Sequence, residues 1–233
     1  MYKIRTLATL LASSAYCFAA PALAADNPEI VVTATGIEQD IRDTGTAISV
    51  IDTADIIDQQ IISIADILQE LPGVSVTQSG GLGSQASVRI RGAESDQTLV
   101  LINGIRVNDP SSPDGAFDFG NLLAGNIERV EVLRGASGVT WGSQAVGGVV
   151  NITTKRPTED LALFAQGEYG AHDTVRLVSN ASGKIGPVGL SIGGGYASTD
   201  GISAFSGGTE TDGYRQYSAS GQVEVDLTDA IRF

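Results

Sequence analysis

Between residues 158 and 228 apolar positions alternate with small or polar ones, a period of two that predicts strands and excludes helices. In the first segment Leu161, Leu163, Ala165, Gly167 and Tyr169 share one face, opposite Ala162, Phe164, Gln166 and Glu168. The second sets Val175, Leu177, Ser179 and Ala181 against Arg176, Val178, Asn180 and Ser182. Val188, Leu190, Ile192, Gly194 and Tyr196 form one face of the third, and Tyr217, Ala219, Gly221, Val223, Val225 and Leu227 one face of the fourth. The runs last roughly 9–12 residues, which suits a tilted membrane strand better than the usual strand of ~5–6. Short connections at Gly170–Asp173 and Gly183–Pro187 and a long one at Thr199–Gly213 separate them. An apolar face, a wet face and tyrosines near strand ends predict a transmembrane β-barrel. A soluble β-sandwich is the competing reading. Ile231-Arg232-Phe233 opens a fifth strand after the turn Thr228-Asp229-Ala230. Since ~8 strands is the smallest common barrel, the expectation is a fragment of a larger one.

Residues 44–155 follow a different, α+β grammar. Thr46–Ile51 alternates as a strand, Thr53 is placed to cap a short helix through Gln60, and Ser63 to cap a second. Ile64, Ile67, Leu68 and Leu71 repeat at helical spacing in the second, and Pro72-Gly73 stops it. Strands are expected at Val74–Thr77, Ser87–Arg91, Thr98–Ile102, Ile105–Asn108, Ile127–Leu133 and Val146–Thr154. Asn103-Gly104 signals a two-residue hairpin between the third and fourth of these.

The start of the chain reads as an export signal: Lys3 and Arg5, an apolar run from Leu7 to Ala20, then Ala22-Leu23-Ala24 as a cleavage site after Ala24. That run is shorter than the ~20 residues of a spanning helix. Residues 25–43 form a leader. Within it Glu29-Ile30-Val31-Val32-Thr33-Ala34-Thr35 is β-branched and extended, with no hairpin partner expected. It is either the first strand of the next domain or a strand that adds to a partner's sheet edge.

The 233 residues carry a net charge of −13, and without Lys3 and Arg5 the remainder carries 12 basic and 27 acidic residues. Such acidity excludes a nucleic-acid partner, which needs Lys and Arg for phosphate. The one cysteine, Cys17, lies in the signal, so disulfides and thiolate metal sites are not expected. His172 is the one histidine, and no phosphate loop or dinucleotide fingerprint occurs, so an enzyme is not expected.

Four ordered blocks then carry a resemblance. They are Ile90-Arg91-Gly92, Val100-Leu101-Ile102-Asn103-Gly104, the run Ile127-Glu128-Arg129-Val130-Glu131-Val132-Leu133-Arg134-Gly135, and the run from Trp141 through Gly147-Gly148 to Ile152. Together they resemble the plug of TonB-dependent outer-membrane receptors, nearest the cobalamin transporter group, with siderophore receptors as the competitor. Ala136 stands where the family usually has Pro, and Trp141 where Tyr is common. The resemblance implies a signal peptide at 1–24, a TonB box at 29–35, a plug at 44–155 and barrel strands at 158–233.

Several roles follow from the resemblance rather than from pattern. TonB would seize Glu29–Thr35 by strand addition and pull on the plug. Arg91, Glu131 and Arg134 would latch the plug to carboxylates of the barrel wall. Gln85, Ser87, Glu94, Ser112 and Pro113 would touch a small chelate ligand. Asp200, Glu210 and Asp212 would hold calcium, whose hard ion suits carboxylate oxygens. A monomeric barrel in outer-membrane lipid is expected. A passive porin, lacking a plug, and a secreted soluble β-rich binding protein are the alternatives of other classes.

Overall fold

The computed structural model describes residues 30–31, 39–41, 45–111, 115–203, 205–228 and 231–232. The signal and most of the leader lie outside them. Strand β1 (Ile30–Val31) pairs antiparallel with β2 (Gln39–Asp40), Ile30 facing Asp40 and Val31 facing Gln39. The expected strand without a hairpin partner is thus corrected: a nearby stretch of the same chain meets its backbone groups, as an open strand edge demands.

Strand β3 (Ala47–Asp52) runs into helix α1 (Thr53–Asp58), which a short link joins to α2 (Ile64–Gln69). Asp52, and not Thr53, caps α1. Its carboxylate accepts from the Ala54 and Asp55 N–H groups, and Asp55 answers by accepting from the Asp52 N–H. This reciprocal box satisfies the open helix start. The Thr53 hydroxyl instead donates to the Ile127 and Glu128 carbonyls at 3.1 and 2.9 Å, fastening α1 to a distant strand. Ser63 caps α2 as expected, accepting from Ala65 N–H at 3.2 Å.

The hairpin β4 (Val74–Gln78) and β5 (Ala86–Ile90) stands apart from the main sheet. That sheet contains β6 (Thr98–Ile102), β7 (Ile105–Arg106), β8 (Ile127–Arg134) and β9 (Gly148–Thr154), with the short helix α3 (Gly138–Trp141) before β9. Its order is β3-β8-β9-β6-β7, with β6 parallel to β9 and the other pairs antiparallel. Asn103 and Gly104 both take positive φ, 50° and 77°, as a tight hairpin turn requires. Strand β7 ends two residues earlier than its pattern predicts, because the Asn108 side chain replaces the ladder. Asn108 accepts from Val100 N–H at 2.8 Å and donates to the Thr98 carbonyl at 3.0 Å.

Both faces of this sheet are covered, so its inner strands read as nearly continuous apolar runs. On one side Val130, Val132, Val150 and Ile152 pack with Ile64, Ile67 and Leu68 of α2. On the other, Leu99, Leu101, Leu133 and Val149 pack with Ala145 and Trp141.

The rest is a meander in sequence order: β10 (Ala162–Gly170), β11 (Thr174–Ile185), β12 (Val188–Thr199), β13 (Tyr214–Thr228) and β14 (Ile231–Arg232). Every neighbour is antiparallel. Leu163, Leu177, Ile192 and Tyr217 are 51–75% exposed, whereas Arg176, Asn180, Ser182 and Ser191 are buried. This is the inside-out polarity of a membrane wall, and it rejects the sandwich reading, whose apolar face would be covered. Among the described residues no helix is long and apolar enough to cross a membrane.

The α+β unit rests against the polar face of this wall. At one end the Gln216 side chain donates to the Asn121 carbonyl at 2.6 Å and Tyr214 donates to the Asn121 side chain. At the other, Lys155 Nζ lies 4.0 Å from the centre of the Phe164 ring. Burial pushes the Lys155 ammonium below its ordinary range, against an opposing pull from Glu128.

Candidate functional site

A cavity of about 370 Å³ opens on the α+β unit, lined by Gln85, Ser87, Val107, Asp109, Phe117 and Asp118 among others. Two elements build it. The first is the start of β5; the second is the loop after β7. Asp118 Oδ1 joins them, accepting from Ala86 N–H and Gly120 N–H at 2.9 Å each. Asn108 Nδ2 braces the loop from within by donating to the Gly115 carbonyl at 3.3 Å. Phe117 stacks edge-on against the buried Phe119, with ring centroids 4.8 Å apart, which pins the back of the loop. Asp109 Oδ1 accepts from the Ser111 N–H and hydroxyl at 2.8 and 2.7 Å. The result is a preformed pocket with two carboxylates, an amide, a hydroxyl and one aromatic edge.

The pocket lies at the wall end that carries the long 200–213 connection. The same neighbourhood shows it: Gly120 lies against Ser84, and a Cβ at Gly83 would fall into the ring of Tyr214, which follows that connection directly. Only glycine fits there.

Of the five expected ligand contacts, Gln85 and Ser87 line this cavity. Glu94 is not among its lining residues; it forms an exposed ion pair with Arg89 at 3.3 Å. Ser112 and Pro113 lie outside the described residues. Asp109 and Asp118 were missed, because acidic residues in a polar loop carry no sequence signal of convergence.

The expected latch residues divide. Arg134 Nη1 donates to the Pro72 carbonyl at 2.6 Å, and the Arg91 N–H donates to the Gly73 carbonyl at 2.8 Å, so both arginines gather at the Pro72-Gly73 turn. Glu131 is fully buried on β8, where Arg129 Nε approaches it at 2.8 Å and Asn151 donates to it at 3.4 Å. The expected calcium set is not assembled. Among the described residues no three His, Cys, Asp or Glu side chains are placed to hold a metal ion. Glu210 is engaged inside its own loop: its backbone N–H first, then the Ser203 hydroxyl at 2.9 Å, hold its carboxyl below the usual range.

A second constellation, also missed from sequence, joins the α+β unit to the wall. Asn126 Oδ1 accepts from Asn180 Nδ2 at 2.9 Å, and Asn126 Nδ2 donates to the Ser220 hydroxyl. Asn180 donates onward to the Ser191 hydroxyl and the Ile192 carbonyl, each at 3.2 Å. A Cβ at Gly193 would fall into the Asn126 amide. The run Gly193-Gly194-Gly195 inside a strand was the available signal, since strand glycines mark close backbone approach.

Residues 40–149 match the family model described as the TonB-dependent receptor plug domain. The vitamin B12 transporter BtuB of Vibrio vulnificus is 37% identical over 76% of this chain and 29% of its own length. That of Photobacterium profundum is 35% identical over 91% of this chain and 36% of its own length. The chain therefore spans about a third of these relatives. Among solved structures, the alcaligin outer-membrane receptor FauA of Bordetella pertussis superposes with a TM-score of 0.69 at 27% identity, covering 86% of this chain and 32% of that one. Plug, inside-out wall and relatives agree: the chain belongs to the TonB-dependent receptors, near the group that contains the vitamin B12 transporters.

Proposed function

We propose that this chain forms the plug and first barrel strands of an outer-membrane transporter that takes up a scarce chelate, with cobalamin favoured. The curated relatives above are named as vitamin B12 transporters, which supports that ligand class. The observation that carries the choice is the charge of the apical cavity. Asp109 and Asp118 converge there beside Gln85 and Ser87. Carboxylate, amide and hydroxyl oxygens accept from a rim of carboxamide N–H donors, which cobalamin presents. A ferric siderophore of net negative charge would meet repulsion in a partly desolvated pocket. The likeness to FauA keeps a siderophore as the second reading.

Energy enters through residues 29–35, which TonB recruits by strand addition after the signal is removed at Ala24. Ile30 and Val31 pair with Gln39 and Asp40 along one edge of the segment, so an added strand takes the opposite edge or displaces that pairing. Arg91 and Arg134 act as plug charges answered by wall carboxylates, while Glu131 completes the latch set from inside the plug, buried beside Arg129.

Equilibrium binding on the full-length receptor tests the ligand, and cellular uptake tests the coupling. Cyanocobalamin should bind, and Asp109→Asn should weaken it by about tenfold, the loss of one charge-assisted contact. Deleting residues 29–35 should abolish uptake and leave binding intact. Binding of a ferric siderophore in preference to cyanocobalamin would give the site to the second reading. Uptake that survives the deletion would remove the coupling role.

A further inference from the structure

The outward face of the wall carries more than bare apolar surface. Two adjoining depressions of about 560 and 590 Å³ run across β10–β13 and share Ala165, Ser179 and Gly194 as a floor. Leu163 and Ile192 flank one, and Leu177, Tyr196 and Tyr217 flank the other. The Tyr196 and Tyr217 rings meet at 5.0 Å at the end nearest the long connection. Small side chains between large apolar ones thus leave a trough where a smooth barrel would have a flush surface.

Charge marks one end of it. Side chains alternate along a strand, so Arg215 projects on the same side as Tyr217, about 7 Å further along β13. Among the described outward positions of β10–β13 it is the one charged side chain. Every other charge of these strands projects inward: Glu168 pairs with Arg176 at 2.7 Å, and Lys184 with Asp226 at 2.8 Å. Arg215 is exposed and stands at the level where an interfacial arginine meets headgroups, above two tyrosines of the aromatic girdle. Its planar fork of donors fits phosphate oxygens in two-point contact.

We infer that this trough binds one acylated, phosphorylated glycolipid of the outer leaflet, an acyl chain lying over Ala165, Ser179 and Gly194 and a phosphate on Arg215. Arg215, the one charge among the described outward positions of β10–β13, is the local complement an anionic headgroup needs. The inference rests on the barrel reading and on the long connection facing outward, and it is independent of the transported ligand.

Lipid A supplies the probe. The full-length receptor is stripped of lipid in detergent, incubated with lipid A, and examined by native mass spectrometry. Wild type should retain lipid A, and Arg215→Glu should retain about tenfold less, one charge-assisted bidentate contact being lost and repulsion added. Gly194→Leu should also lose it by filling the floor. That variant should fold, since a Cβ there meets nothing nearer than Ser179 Oγ at 3.7 Å. Resistance of the unheated barrel to SDS confirms an intact wall in both. Equal retention by wild type and both variants overturns the site, and retention of phosphatidylglycerol at the level of lipid A overturns the choice of lipid. A receptor that retains lipid A but binds no cyanocobalamin sinks the ligand proposed above and leaves this one standing.

Discussion

The plug and the wall are made by one chain and obey opposite rules. In the plug Leu68 is wholly buried against β-strands, while in the wall Leu163 is 75% exposed on the outer face. Charge reverses too. Arg176 is buried inside the wall beside Glu168, whereas the plug, Glu131 aside, keeps most of its charges exposed. Folding in the plug is driven by removing leucine from water. In the wall a continuous hydrogen-bonded ladder between neighbouring strands lets leucine face lipid with its backbone groups paired. The difference teaches that burial alone misjudges this molecule, because "outside" means two different solvents.

Leu68→Ala against Leu163→Ala sharpens the contrast most. The first should cost about 2–5 kcal/mol of plug stability, the second next to nothing. The measurement is the urea midpoint at which the plug of the full-length receptor becomes open to protease. Equal shifts would break the comparison. Next in size, Ile192→Arg should cost about 2–4 kcal/mol for a charge on the lipid face near mid-strand. Folding equilibria into lipid vesicles would detect it, and an unchanged equilibrium would mean that this face is not in lipid. Smaller still, Asn126→Ala should cost about 1–3 kcal/mol by removing the two side-chain bonds, to Asn180 and to Ser220, that Asn126 makes at the seam between the two regions. Faster proteolysis of the plug inside an intact barrel reports it, while unchanged proteolysis would mean that the seam is held elsewhere.

Much of the fold was legible because local chemistry and global pattern agree. The Asn103-Gly104 turn, the Ser63 cap and the alternation of four strands each have one physical solution. What escaped involves side chains acting for backbone over distance. Asp52 outcompeted Thr53 as a cap because Thr53 reaches across to β8. Asn108 took over ladder bonds that pattern gave to two more strand residues. Gln85 and Ser87 were placed by resemblance, but Asp109 and Asp118 join them through a loop whose course no periodicity describes. The 200–213 connection was expected to hold calcium by resemblance, and there Ser203 and local N–H groups engage Glu210.

Strand β9 ends at Thr154 and β10 begins at Ala162. The intervening link, drawn fully taut, reaches about 25 Å. A stopper on so short a leash cannot be expelled into the periplasm and later recaptured as a free body. However the plug is displaced, its Thr154 end stays within that radius of the first wall strand.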